Sequence, residues 1–336
     1  MARGPGGARA WCRRSVDPGW CLGGQQHRYQ HPHRLVFQER ARRHRLGRSQ
    51  GICDRNRRRR QLVRHTADVS ADPGADCCGR IVAVGSGVDV GRVGERVLVR
   101  PMQPRSSAGE EPATVTFGSE CNGGFADYAV TGSSDAIRVE SGLSDVELAS
   151  FPCAFSTAEG MIQRCRLGTE SVLITGASGG VGSAAIQLAK RRGAHVTALT
   201  TAAKAEELRA LGADQTLDRD APLPGHGFDV VLDLVGGPRW PDLIDSLRNG
   251  GRYVTSGAIA GPIVELDLRT LYLRDLTLLG STHQPANVFT DLVSYIEAGD
   301  IHPVLAATYP LAELRAAQSA FAGKTHVGKI GITVAD

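Results

Sequence analysis

Aromatic residues make up only 5% of this 336-residue chain, and methionine and tryptophan occur three times each. Glycine, at 41 residues, is abundant. That balance suits an α/β protein with many glycine turns and a core of small aliphatics. The eight cysteines form no Cys-x-x-Cys pair and keep no regular spacing. This argues against a disulfide framework and predicts reduced thiols in a cytoplasmic protein. No apolar run approaches the ~18 residues of a membrane span, and no signal-peptide pattern is present. The first 64 residues hold 17 Arg, no Lys and three acids (Asp17, Glu39, Asp54), a net charge of +14. The whole chain carries +4, so the remainder carries −10. The length allows two domains and a sizeable core.

The most informative stretch is Ser171 to Gly193, SVLITGASGGVGSAAIQLAKRRG. Five residues rich in β-formers run into a turn containing Gly176, Gly179, Gly180 and Gly182, which opens into an Ala-rich helical stretch. Strand, tight turn and helix in this order form the context of a dinucleotide site. Gly179 lets a backbone approach a pyrophosphate, Gly182 lets the helix pack close to the strand, and the helix N-terminus offers free amides and a positive dipole end. Ala177 stands where the fingerprint has its first glycine. The turn residues Ala177, Ser178, Gly179, Gly180, Val181 and Gly182 are therefore candidate phosphate ligands.

From Ser171 onward, strands and helices alternate, which predicts a doubly wound parallel sheet. Between Pro73 and Val139 the pattern is of short β-segments, with Pro101–Ser119 read as a polar loop. Helices are expected over Ser144–Phe155 and Ser156–Arg164. Residues 1–72 show no periodicity. Three readings of that head compete: a basic nucleic-acid arm, a transit peptide, and a wrong-frame translation. The third has a specific basis. Sliding Gln25–Gln38 by one nucleotide permits NNTDINTRTGWYSK, and in-frame codons that forbid this string would remove the idea.

The end of the second parallel strand selects between coenzymes. A site preferring NAD places an acid there for the ribose 2′-hydroxyl. Here that position falls at Thr200 or Thr201, with Lys204 one turn on; two hydroxyls and a cation favour NADP(H). Further contacts are expected from the strand-end loops carrying Val235, Gly257, Ala258, Ile259, Ser281 and Thr282, where small residues permit close approach.

The motifs GASGGVGSAAIQLAK (Gly176–Lys190), KAEELRALGAD (Lys204–Asp214), GGFADYAV (Gly123–Val130) and HVGKI (His326–Ile330) together resemble the medium-chain dehydrogenase/reductase superfamily, on its quinone-oxidoreductase-like side. The resemblance covers Pro73 to Val334. It implies an α/β fold, a GroES-like β-domain plus a Rossmann doubly wound parallel sheet, with the active site between them. The expected division is a non-matching head (1–72), a substrate domain (73–150 and 285–336) and a dinucleotide domain (151–284). It also implies hydride transfer, a homodimer, and Thr157 and Lys329 beside the coenzyme.

The family's zinc enzymes carry Gly-His-Glu where this chain has Gly74-Ala75-Asp76. Only Cys153 matches a ligand position, and a catalytic zinc needs three protein ligands, so no metal is expected. Ser281, Thr282 and His283 are candidates to meet substrate charge, and no catalytic residue is assigned. The expected function is metal-independent, NADPH-dependent reduction of a quinone, enone or carbonyl. The alternatives are a zinc-type alcohol dehydrogenase and a coenzyme-binding but impaired product. No nucleic-acid or membrane partner is expected.

Overall fold

A computed structural model describes residues 9–16, 72–105 and 113–334. In chain order the first elements are β1 (Arg9–Val16), β2 (Cys78–Val84), β3 (Arg96–Val99), β4 (Met102–Arg105), β5 (Ala113–Thr116), β6 (Tyr128–Gly132) and β7 (Ala136–Arg138). Helices α1 (Asp145–Leu148) and α2 (Pro152–Arg164) follow. Next come β8 (Ser171–Ile174), α3 (Gly180–Arg191), β9 (His195–Thr200), α4 (Ala205–Ala210), β10 (Gln215–Asp218), β11 (Phe228–Asp233), α5 (Trp240–Asp245), β12 (Leu247–Thr255), α6 (Leu268–Leu273) and β13 (Thr277–Gly280). The chain ends with α7 (Ala286–Ala298), β14 (Leu305–Pro310), α8 (Leu314–Ala322) and β15 (Lys329–Thr333).

Six parallel strands form one sheet in the order β10-β9-β8-β11-β12-β13. Val172, Leu173 and Ile174 of β8 are all fully buried, as a strand covered on both faces requires. A second sheet runs β14-β15-β1-β2-β3-β7, with β6 on β1, and a β4–β5 hairpin stands apart. This is the expected mixed α/β arrangement of a β-rich unit and a doubly wound parallel sheet.

Three expectations need correction. Arg9–Val16 is a strand paired with β2, β6 and β15, although no periodicity marks it; sheet pairing overrides weak local pattern there. Gln25–Gln38 and the four-Arg run lie outside the described residues. The polar loop Pro101–Ser119 contains the antiparallel β4–β5 pair. The two expected helices divide elsewhere, at Ala149–Phe151, because Ser144 and Glu147 close a capping box on α1 and Pro152 occupies the first turn of α2.

Helix α7 buries Val288, Phe289, Leu292 and Ile296, and Phe289, Leu292, Val293 and Ile296 share a core with residues of β8, β11 and α3. The chain re-enters the second sheet at Leu305, where β14 begins. Among the described residues no helix is long and apolar enough to cross a membrane.

Candidate active site

The glycine turn closes where β8 meets α3. Gly176 has a φ of 58°, in the left-handed region that favours glycine. Gly179 caps α3 in extended backbone, and no side chain caps that helix. A Cβ on Gly182 would lie 2.3 Å from the Gly176 carbonyl oxygen and 2.5 Å from Ala177 Cα, so only glycine lets the helix sit this close. Ala177 is fully buried. The first-turn amides of α3 therefore face outward beside an exposed Gly179.

The second sheet reaches over this ledge. Gly328 donates its N–H to the Ser178 carbonyl at 3.0 Å, and Gly179 and Gly328 pair as a parallel bridge. Lys329 then runs across Gly180, where an added Cβ would lie 2.6 Å from Lys329 Cδ. The Lys329 ammonium meets Asp76 Oδ2 at 2.9 Å, and both side chains are almost wholly buried. Asp76 Oδ1 accepts the Cys153 N–H at 2.6 Å. Burial pushes the Asp76 carboxyl up, and Lys329 pulls it back down. A ring of glycine backbone holds this segment: Cβ atoms on Gly118 and Gly123 would both collide with Gly74.

The strand-end loops follow the expected order. Val235 packs its Cγ2 toward Gly176. A cleft of about 480 Å³ opens beyond β12 and β13, lined by Arg164, Gly257, Ala258, Ser281, Thr282 and His283 together with Thr255, Ser256 and Gly280. Thr157, half-buried on α2, and the exposed Ile259 do not line it. His283 Nδ1 meets Thr114 Oγ1 at 3.1 Å, and the His283 carbonyl accepts from Arg164 at 3.1 Å. Strand β5 thus touches the cleft lining through His283.

At the end of β9, Thr200 is buried and its hydroxyl has no partner among the described residues. Thr201 accepts the Lys204 N–H. Lys204 Nζ donates to the carbonyls of Lys324 and His326, both at 2.7 Å. Its reach is thus toward the C-terminal segment, a pairing that sequence spacing does not reveal.

Asp233 was missed by sequence reading. It is fully buried at the end of β11. It accepts from Thr175 Oγ1 at 2.6 Å, Tyr253 OH at 2.5 Å, Val235 N at 2.9 Å and Gly236 N at 3.1 Å. The carboxylate shapes the Val235-Gly236-Gly237 turn, where both glycines have positive φ. An acid ending an apolar run before Gly-Gly was the available signal. Asp233→Ala strands two hydroxyls and two amides; we expect a loss of about 3 kcal/mol or more, read by denaturant unfolding.

An exposed glycine ledge, a helix N-terminus and a cleft along the carboxyl edge of a parallel sheet define a nucleotide-binding oxidoreductase of the two-unit kind. Residues 48–141 match the family model described as alcohol dehydrogenase GroES-like domain, and residues 180–298 match zinc-binding dehydrogenase. The first match begins ahead of Pro73, so family likeness extends into the Arg-rich head. The acryloyl-coenzyme A reductase of Sulfurisphaera tokodaii is 30% identical over 274 residues, covering 76% of this chain and 81% of that protein. A cobalt- and zinc-bound thermostable alcohol dehydrogenase from Pyrobaculum aerophilum is 34% identical, with TM-score 0.70, covering 78% and 82%. The 2-octenoyl-CoA carboxylase reductase CinF, in complex with NADP and 2-octenoyl-CoA, is 28% identical with TM-score 0.71, covering 79% and 68%. The chain belongs to the medium-chain dehydrogenase/reductase superfamily and is an oxidoreductase of that family.

Proposed function

We propose that this protein is an NADPH-dependent reductase of conjugated carbonyl compounds (quinone, enone or unsaturated acyl thioester) that works without metal. The observation that carries the reading is the uncapped α3 N-terminus at Gly179–Gly182, with Lys329 laid across it. Exposed amides and a dipole end fit a diphosphate, and the orphaned Thr200 hydroxyl fits a polar ligand at the end of β9. The ligand set then comprises Ala177, Ser178, Gly179, Gly180, Val181 and Gly182 at the diphosphate. Thr200, Thr201 and Lys204 lie at the adenosine end, with Lys329 between the units. Val235, Gly257, Ala258, Ile259, Ser281, Thr282 and Thr157 lie toward the nicotinamide. The bound coenzyme supplies hydride to an electron-poor carbon. The protein's part is to position the acceptor in the 480 Å³ cleft and to meet charge developing on its oxygen with donors such as Ser281, Thr282 and His283.

The described residues do not fit a zinc centre. Ala75 has no donor atom, Asp76 is spent on Lys329 and the Cys153 amide, and no group of three His, Cys, Asp or Glu gathers among the described residues. An acyl thioester acceptor is favoured by the names of the relatives. We expect NADPH oxidation with crotonyl-CoA, a naphthoquinone or an alkenal, and little alcohol oxidation with NADP⁺. Stoichiometric zinc in the purified protein, lost in Cys153→Ala, would instead establish the alcohol-dehydrogenase alternative. Binding of NADPH with reduction of no acceptor would establish the impaired product.

We also propose a homodimer. Strand β13 is a sheet edge, and the neighbouring segment exposes Ile263 (88%), Leu268 (64%), Tyr272 (63%) and Leu273 (67%). An apolar patch beside an open edge favours a second copy. Leu268→Glu with Tyr272→Glu should convert the dimer to monomer in sedimentation; a wild-type monomer refutes the assignment. A cytoplasmic location is proposed on the irregular spacing of the eight cysteines in the sequence.

A further inference from the structure

The cleft beyond β12 and β13 is lined by small residues, hydroxyls, one imidazole and one guanidinium, and by no carboxylate. That guanidinium, Arg164, differs from the other arginines of the parallel-sheet unit. Arg191, Arg192, Arg239, Arg248, Arg252 and Arg274 each face a carboxylate within ion-pair distance. Arg164 faces none among the described residues. A base in the last turn of a helix commonly turns to that helix's own carbonyls. Arg164 sits in the last turn of α2, yet it reaches off the helix and donates from Nη2 to the His283 carbonyl at 3.1 Å. Its remaining donors have no partner among the described residues.

The cation is held against the segment that meets the acceptor. Gly160 stands one turn before Arg164 on the same face of α2. A Cβ there would lie 3.3 Å from Gln284 Cγ and 3.9 Å from Ser281 Oγ, so this face packs on the Ser281–Gln284 segment. Thr255 and Ser256 donate their hydroxyls to the Gly257 carbonyl and the Met161 sulfur. The hydroxyls of Ser281 and Thr282 are uncommitted among the described residues. Two sets of donors therefore line one cleft. The hydroxyls are at Ser281 and Thr282, and the guanidinium is anchored two residues beyond Ser281. Two residues span at most roughly 7 Å. That reach fits an anionic group on the acceptor itself. It falls well short of the phosphates at the far end of a coenzyme A carrier.

We propose that Arg164 is a specificity-determining residue that takes a carboxylate carried by the acceptor. The preferred substrates are then conjugated carbonyl compounds with an acid group within a few bonds of the reduced double bond. A planar guanidinium matches a carboxylate through two parallel N–H donors, and no acid in the lining competes for it. The inference rests on the reductase reading above and narrows its acceptor class. With 4-oxo-2-pentenoate, hydride from NADPH and a proton from water add across the C=C bond to give 4-oxopentanoate and NADP⁺. The carboxylate is unchanged and serves to hold the molecule.

The test compares 4-oxo-2-pentenoate with its methyl ester in NADPH oxidation by the full chain. The acid-to-ester ratio of kcat/KM should be about tenfold higher in wild type than in Arg164→Met. Tenfold is the low end for a charge-assisted hydrogen bond, because Arg164 is exposed. The difference should lie in a raised KM for the acid, and Arg164→Lys should recover part of it, since a point charge replaces the fork. A ratio that Arg164→Met leaves unchanged overturns the proposal while the reductase reading stands. A second readout needs no turnover: with NADP⁺ present, 4-oxopentanoate should raise the unfolding temperature of wild type and not that of Arg164→Met. A shift of this kind without reduction of either acceptor upholds the carboxylate site and removes the reductase reading. No shift and no reduction overturn both.

Discussion

Gly179→Val should abolish coenzyme binding without unfolding the protein. Gly179 has φ −79° and ψ 172°, ordinary extended backbone for any residue. A Cβ there would meet only the Gly176 carbonyl oxygen, at 3.4 Å. Valine is therefore accommodated, and stability should change by no more than about 1 kcal/mol. Its branched side chain would nonetheless stand on the exposed face of the ledge, where a diphosphate must approach the amides. Coenzyme affinity should fall by at least about a hundredfold, some 3 kcal/mol. The control is Gly182→Ala. There the new Cβ meets backbone at 2.3 Å and 2.5 Å, so the helix must move, and we expect about 3 kcal/mol or more of destabilisation together with lost binding. Thermal unfolding beside coenzyme titration separates the two glycines. Unaltered coenzyme uptake in Gly179→Val removes the basis of the functional reading.

The contrast between these glycines shows what the sequence could reveal. The strand–turn–helix was legible because its signal is local: apolar Val172–Ile174, glycines at fixed offsets, then a helix-forming run. The close packing at Gly182 and the proposed ligand role of Gly179 both follow from that offset. What stayed hidden depends on pairings distant in sequence. Arg9–Val16 has a strand's length without a strand's alternation, and its place comes from neighbours more than 60 residues away, such as Cys78 opposite Ser15. Lys204 reads as an exposed cation, yet its ammonium is engaged 120 and 122 residues further on. Asp233 is a single acid within an apolar run, and its four partners come from Thr175 just after β8, from β12 and from the following turn. The β4–β5 hairpin escaped because Met102–Arg105 and Ala113–Thr116 are short and separated by a polar stretch. Family likeness pointed to Lys329 as a coenzyme neighbour, but it did not disclose that Asp76 holds its ammonium.

That pair gives the second large effect. Asp76 and Lys329 are 253 residues apart and join the two units at the edge of the ledge. Two charges taken out of water are costly, and their mutual attraction offsets that cost only while both are present. Asp76→Ala removes the carboxylate that faces the buried Lys329 ammonium and also the acceptor of the Cys153 N–H. We expect a loss of about 3–5 kcal/mol, with coenzyme affinity reduced because the lysine is no longer held over Gly180. Lys329→Met should cost a similar amount by stranding the carboxylate. The informative variant is the double one, Asp76→Leu with Lys329→Met. Apolar groups of similar volume can replace a buried pair at little net cost, so stability should recover to within about 1–2 kcal/mol of wild type while coenzyme affinity stays low. Stability and binding then move separately, as they must if Asp76 serves to position Lys329 and Lys329 serves the ligand. Recovery of both together would mean that the pair only joins the units; recovery of neither would place the binding defect in a distorted ledge.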